Sequence, residues 1–151
     1  MSVAEILDQK GRRLIVAKPE SSIAEIAELL RKEGIGAVLA LEADGKIAGI
    51  ISERDVVRGL AEHGAGLLEM TAADLMTTTV ITCTPESVTE ELMDQMLSGH
   101  IRHLPVLAGN DVVGIVSIGD VVKSVYLELK WIRGALEQQV AKSTAWATDE
   151  D

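Results

Sequence analysis

The chain has 151 residues, 47% of them hydrophobic, and 24 acids against 14 bases give it a net charge of -10. That is enough apolar material for one substantial core or for two small halves sharing one, and an acidic balance of this size repels a phosphate backbone, which argues against DNA or RNA as a partner. No apolar run approaches the roughly 20 residues that cross a bilayer, and the N-terminus carries acids where a secretory leader has bases, so a cytoplasmic protein with no membrane association is expected.

The first element is a short helix, "SVAEILDQ", stopped by Gly11. An extended apolar piece, Leu14, Ile15 and Val16, precedes Pro19. In "SSIAEIAELLRKEG", Ser22 and Glu25 stand at capping-box spacing, Ile23, Ile26, Ala27 and Leu30 share one face, and Gly34 suits a helix stop. The runs "GAVLAL" and "IAGIIS", joined at Asp44-Gly45, read as a hairpin, and a second helix begins near Asp55. A linker with Gly64 and Gly66 leads to "TAADLM", where Thr71 caps a short helix with Asp74 behind it.

The same order then returns. Val80 and Ile81 are extended before Pro85, Ser87 and Glu90 repeat the capping spacing, and Val88, Leu92 and Met96 fall in line. "RHLPVL" and "VVGIVS" form a second hairpin with a shorter turn at Gly109, Asn110 and Asp111. The last helix starts near Asp120 and carries Val122, Val125, Leu129, Ile132 and Leu136, a stripe that needs a partner surface on its own domain or on a second subunit. Gly134 weakens its far end, and "AKSTAWATDED" reads as a frayed acidic tail with an isolated Trp146.

The chain is therefore one β-α-β-β-α unit written twice, of mixed α/β (α+β) class. "GIISERDVV" (residues 49–57) returns as "GIVSIGDVV" (residues 114–122), 65 positions later, whereas "PES" returns after 66, so one residue is lost in the hairpin turn. The expected division is residues 1–64 as the first repeat with its leading helix, 65–76 as linker, 77–130 as the second repeat, and 131–151 as helix end and tail. Ser-x-x-Asp before a helix is a plain capping arrangement as well as a ligand-binding one, and its duplication favours binding. The lone Cys83 is expected as a small buried residue, and His63, His100 and His103 complete no nucleophile-base pair or metal site. With no phosphate-binding Gly-rich loop either, catalysis is not expected.

Two Gly-x-x-Ser-x-x-Asp stretches in register, each with an upstream Pro-Glu-Ser, a hairpin and a terminal helix, and "RHLPV" in the second, resemble a tandem pair of CBS domains, the Bateman module. The resemblance covers roughly residues 6–130, and "SERD" followed by "SIGD" is similar to small stand-alone bacterial members. It implies two repeats paired about a pseudo-twofold axis, with an N-terminal helix and an extended C-terminal helix outside them. It also implies two clefts that take regulatory adenosine compounds such as AMP, ADP, ATP, NAD(H) or S-adenosylmethionine, with or without Mg²⁺ and with no required cofactor. A homodimer acting on a protein target in trans, in energy sensing, would follow. The competing reading is a dimeric scaffold or protein-interaction module with vestigial, unoccupied clefts.

In that family the motif Asp binds the ribose hydroxyls and the other repeat supplies the adenine pocket. Carried over, the first cleft holds Asp55 and Ser52, walled by Thr77, Thr78, Val80, Ile81, Ile101 and Arg102, with Arg54, Arg102 and His103 for phosphate. The second holds Asp120 and Ser117, walled by Lys10, Gly11, Leu14, Ile15, Ile35, Gly36 and Ala37, with Lys10, Arg12 and Lys18 as its cations. Arg58 and Lys123 are expected to be solvated surface charges. Arg54 is matched by Gly119 in the second copy, so the clefts are expected to be inequivalent, the first holding the more phosphorylated ligand.

Overall fold

The computed structural model describes residues 1–11 and 13–149, the side chains of 146–149 excepted. Arg12, Glu150, Asp151 and the Trp146 side chain lie outside the described residues.

Local chemistry sets most element boundaries. Helix α1 (Val3–Lys10) starts on a Ser2–Glu5 capping box and α2 (Ile23–Glu33) on a Ser22–Glu25 box, and α2 ends at Gly34 with φ of 64°. The α2 face that buries is Ile23, Ile26 and Leu30; Ala27, assigned to it by spacing, is exposed, and Leu29 is half-buried instead. Strand β1 (Val16–Ala17) pairs parallel with β2 (Ala37–Leu41), which pairs antiparallel with β3 (Ile47–Ser52). Then come α3 (Glu53–His63), a 3-10 turn (Gly64–Glu69), α4 (Ala72–Leu75), α5 (Thr89–Gly99), the hairpin β4 (His103–Ala108) and β5 (Asp111–Ser117), and α6 (Ile118–Asp149). The missing residue falls in the hairpin turn: Leu41 pairs with Ile47 and Leu107 with Val112, and the second link is one residue shorter.

Three expectations are corrected. The leading strand of the second copy does not form: Val80 and Ile81 lie outside any strand, and only Cys83 bridges β4, at Val106. Pro105 is the reason, because its carbonyl accepts from Cys83 N at 2.9 Å on the side where a further ladder would need the N–H that proline lacks. Ser87 does not cap α5, whose N-cap is Val88 with no side-chain bond. Its Oγ accepts from Thr84 N at 3.1 Å, as Ser21 Oγ does from Lys18 N, and the second copy has no further serine where Ser22 stands in the first. Finally, α6 does not fray at Ala141 but runs through Gly134 to Asp149, about 48 Å at 1.5 Å per residue. One glycine costs only about 1 kcal/mol in a helix whose neighbours are good helix formers.

Each half completes its core with the other half's leading helix. Val3, Ile6 and Leu7 of α1 pack with Leu92, Met96, Leu104, Val106, Val116 and Val121 of the second copy, and Val3 N and Ala4 N donate to Ser87 O and Pro85 O. In the same way Ala72 of α4 joins Ile23, Ile26, Leu30, Val38 and Ile51 of the first copy, with Ala72 N and Ala73 N donating to Ser21 O and Pro19 O. The glycine of each motif makes this fit possible. A Cβ on Gly114 would stand 2.8 Å from Leu7 Cδ2, and one on Gly49 would stand 2.7 Å from Met76 Cγ. Cys83 is buried in the second core, and burial pushes its thiol pKa up to about 11.

Candidate functional site

A cavity of about 200 Å³ opens where the two copies meet at the start of α3. Its floor is built by an exchange between halves: Ile50 of β3 and Thr77 of the second copy's leader form an antiparallel bridge, N–H to carbonyl at 3.0 and 2.9 Å in the two directions. That pairing sets Thr77, Val80 and Ile81 opposite Ser52 and Asp55. From the β4 side, Ile101, Arg102 and His103 reach the same space. The walls are thus aliphatic, and the rim carries Arg54, Arg58 and Arg102 in a chain of net charge -10.

Asp55 has a double attachment. Its Oδ2 accepts from Ser52 N at 2.9 Å and Ser52 Oγ at 3.0 Å, holding the start of α3, while Oδ1, among the described residues, meets Arg58 Nη1 alone, at 3.8 Å. That contact is an ion pair too long for a hydrogen bond. Asp74 makes the same capping bonds with Thr71, at 2.9 and 3.1 Å, but on the exposed start of α4 and away from the cavity lining. Capping alone therefore does not distinguish Asp55; its position at the cavity does.

The counterpart motif is arranged differently. Asp120 Oδ2 accepts from Ser117 N at 2.9 Å, Ser117 Oγ accepts from Asp120 N at 3.1 Å, and Lys10 Nζ donates to Asp120 Oδ2 at 2.7 Å and to Ile115 O at 3.0 Å. Burial, the largest influence on Asp120, acts to raise its pKa, but the Lys10 bond and then the Ser117 bonds outweigh it and leave the carboxyl below its ordinary value.

Of the residues assigned to the first cleft, the cavity brings together Asp55, Ser52, Arg54, Thr77, Val80, Ile81, Ile101, Arg102 and His103, and it takes Thr79 in place of Thr78. Of the second set, Lys10, Ser117 and Asp120 meet and the others lie elsewhere. Gly36 and Ala37 line the Asp55 cavity, because Ala37 pairs with Ser52 across the β2–β3 ladder. Ile15 and Ile35 pack on the first core, Lys10 is tied to Asp120, Gly11 is the α1 C-cap, Leu14 is half-buried, and Lys18 is exposed, its backbone N–H on the Ser21 turn. Arg58, expected as a solvated charge, lines the cavity beside Asp55, one helical turn on, a spacing that would have found it. Ile50, Glu53 and His100 also line it unforeseen, and His100 takes the left-handed conformation, φ of 52°, where the first copy has Gly34.

His103 lies between the two motifs. Burial, and after it the Lys10 ammonium, hold its pKa below the ordinary 6.5, against the opposing pull of Glu53 and Asp120. The unfolded chain thus takes up this proton first as pH falls, so the contribution of a neutral His103 to stability is complete above about 6.5 and is lost as pH drops below that value. Urea unfolding at about pH 7.5 and about pH 5.5 should show the wild type weakening toward acid. His103→Gln should weaken less, and an equal loss in both proteins would contradict the assignment.

The CBS domain family pattern matches residues 3–62 and 72–127. The chain is 28% identical over 135 residues to the mitochondrial CBS domain-containing protein CBSX3 of Arabidopsis thaliana, covering 84% of this chain and 66% of that protein. It is 33% identical over 124 residues to an uncharacterized protein of Methanopyrus kandleri, covering 82% and 62%. It thus spans somewhat under two thirds of the length of these curated relatives. Among solved structures, a CBS-domain containing protein from Agrobacterium tumefaciens superposes with a TM-score of 0.80 at 42% identity, over 82% of this chain and 98% of that one. The CBS domain pair of protein MJ0100, in complex with 5′-methylthioadenosine and S-adenosyl-L-methionine, does so with a TM-score of 0.76 at 28% identity, over 85% and 98%. No helix among the described residues is long and apolar enough to cross a membrane.

Proposed function

Because the chain belongs to the CBS-domain family, as a tandem pair of such domains, we propose that it is a regulatory, non-catalytic module that takes an adenosine compound into the cavity at Asp55. The observation that carries this reading is the position of Asp55. Its Oδ2 holds α3, and its Oδ1, with only a long contact to Arg58, is left to accept the paired hydroxyls of a ribose. Val80, Ile81 and Ile101 would hold the adenine between aliphatic walls, and Arg54 and Arg102, with one N–H of neutral His103, would receive a phosphate. The complex of the MJ0100 pair with two adenosine compounds supports the ligand class.

Since the cavity draws on both copies, a ligand bridging them biases their relative setting, which a protein partner in trans can sense. Exposed Val57 and Leu60 on α3, with Val122 and Tyr126 on α6, offer an apolar surface for a homodimer. The scaffold reading draws its own support from the capping bonds of Asp55 and Asp120, which would persist in a vestigial cleft. Thermal melts with AMP, ATP, NADH and S-adenosylmethionine, with and without Mg²⁺, separate the two. A ligand at 100 times its Kd adds about 2.7 kcal/mol, so the receptor gains on the order of 5–10 °C, while a scaffold is unmoved by all four.

A further inference from the structure

We propose that Lys10 is a built-in occupant of the second cleft, closing the Asp120 site to adenosine ligands so that the chain has one working cleft. The inference rests on the adenosine-binding reading above and specifies which cleft that reading applies to.

The two halves differ at corresponding positions. In the first, the Ile50 carbonyl at the cavity floor accepts from the backbone N–H of Thr77 at 2.9 Å. Its counterpart 65 residues on, Ile115, has its carbonyl taken by the side chain of Lys10 at 3.0 Å. The same ammonium sits 2.7 Å from Asp120 Oδ2. One cation therefore spans the strand-edge carbonyl and the motif carboxylate, on the oxygen that also holds the start of α6. At Asp55 no cation among the described residues comes this close, Arg58 Nη1 standing 3.8 Å from Oδ1. Met76 packs against Gly49 as Leu7 does against Gly114, so the counterpart of Lys10, three residues further on, is Thr79, which brings no charge to the motif.

A ribose entering the second cleft must first displace Lys10. The side chains of Lys10 and Asp120 are 36% and 23% exposed, so the contact is of the modest strength that solvated ion pairs have, and it lowers affinity by the fraction of time it is closed. The depressed pKa of Asp120 accords with this, since the Lys10 contact, together with the Ser117 bonds, outweighs the effect of burial.

The test is calorimetric titration of the full chain with adenosine and with AMP. Adenosine carries no phosphate, so the loss of a lysine charge cannot mask a gained site. The wild type should bind one ligand per chain, and Lys10→Met, which keeps the length of the side chain and removes its charge, should bind two. Asp55→Asn should remove the site in the wild-type background, whereas Asp55→Asn with Lys10→Met should keep one, locating the new site at Asp120. Lys10→Ala, checked by circular dichroism, serves if Lys10→Met does not fold. Two sites in the wild type, or one in a folded Lys10 variant, overturns the lock while leaving the receptor reading intact. No binding to any of these proteins overturns both.

Discussion

Asp55→Asn is expected to erase the ligand-induced rise in melting temperature while costing the free protein only a few degrees. The amide keeps the shape of the carboxylate and an oxygen that can accept from Ser52 N, so the start of α3 persists. What it loses is charge, on the atom placed to accept from ribose hydroxyls, and hydrogen bonds to charged groups are worth about 1.5–3 kcal/mol. Affinity should fall on the order of 10- to 100-fold. Asp74→Asn is the control, because Asp74 makes the same bonds to Thr71 at the start of α4 and stands away from the Asp55 cavity. It should lower stability about as much and leave binding alone. If the two variants bind equally well, Asp55 is a cap and nothing more.

Leu7→Ala should damage the fold severely, although it lies in the leading helix, before either hairpin. Leu7 is 1% exposed, and its methyls fill the space over Gly114, in contact with the second core. Truncating a buried leucine costs about 2–5 kcal/mol, and at roughly 2–4 °C per kcal/mol the melting temperature should fall on the order of 10 °C. The pattern of the damage matters more than its size. Since α1 completes the second copy, hydrogen exchange should speed up first in α5, β4 and β5, with α2 and β2 spared. Loss of protection in α2 and β2 instead would return α1 to the first copy.

Much of the fold could be read locally because its determinants are local. A Ser or Thr three residues before an acid starts α1, α2, α3 and α4, Gly34 ends α2, and Asp44-Gly45 and Gly109-Asn110 turn the hairpins. Where the reading failed, a competing group had intervened, distant in one case and local in the other. Pro105 withholds an N–H from the second leader, and Ser87, whose spacing matched a cap, is claimed by the turn at Thr84. The candidate site divides in the same way. The motif carboxylates stood out as a repeated pattern, and the residues expected around Asp55 came from the family resemblance, whereas Arg58, Gly36 and Ala37 line that cavity because of which strand and helix turn lie beside it.

The sequence by itself determined that this protein is one unit duplicated, with a carboxylate at the same helix start in each copy, because caps, turns and side-chain periodicity act over a few residues. Only the tertiary structure decided that each leading helix completes the opposite half, and that one motif faces a cavity while the other holds a lysine 110 positions away. Two halves with the same local pattern diverge there because the apposition of distant surfaces rests on packing and charge contributed by residues outside the pattern, Leu7 and Lys10 foremost among them.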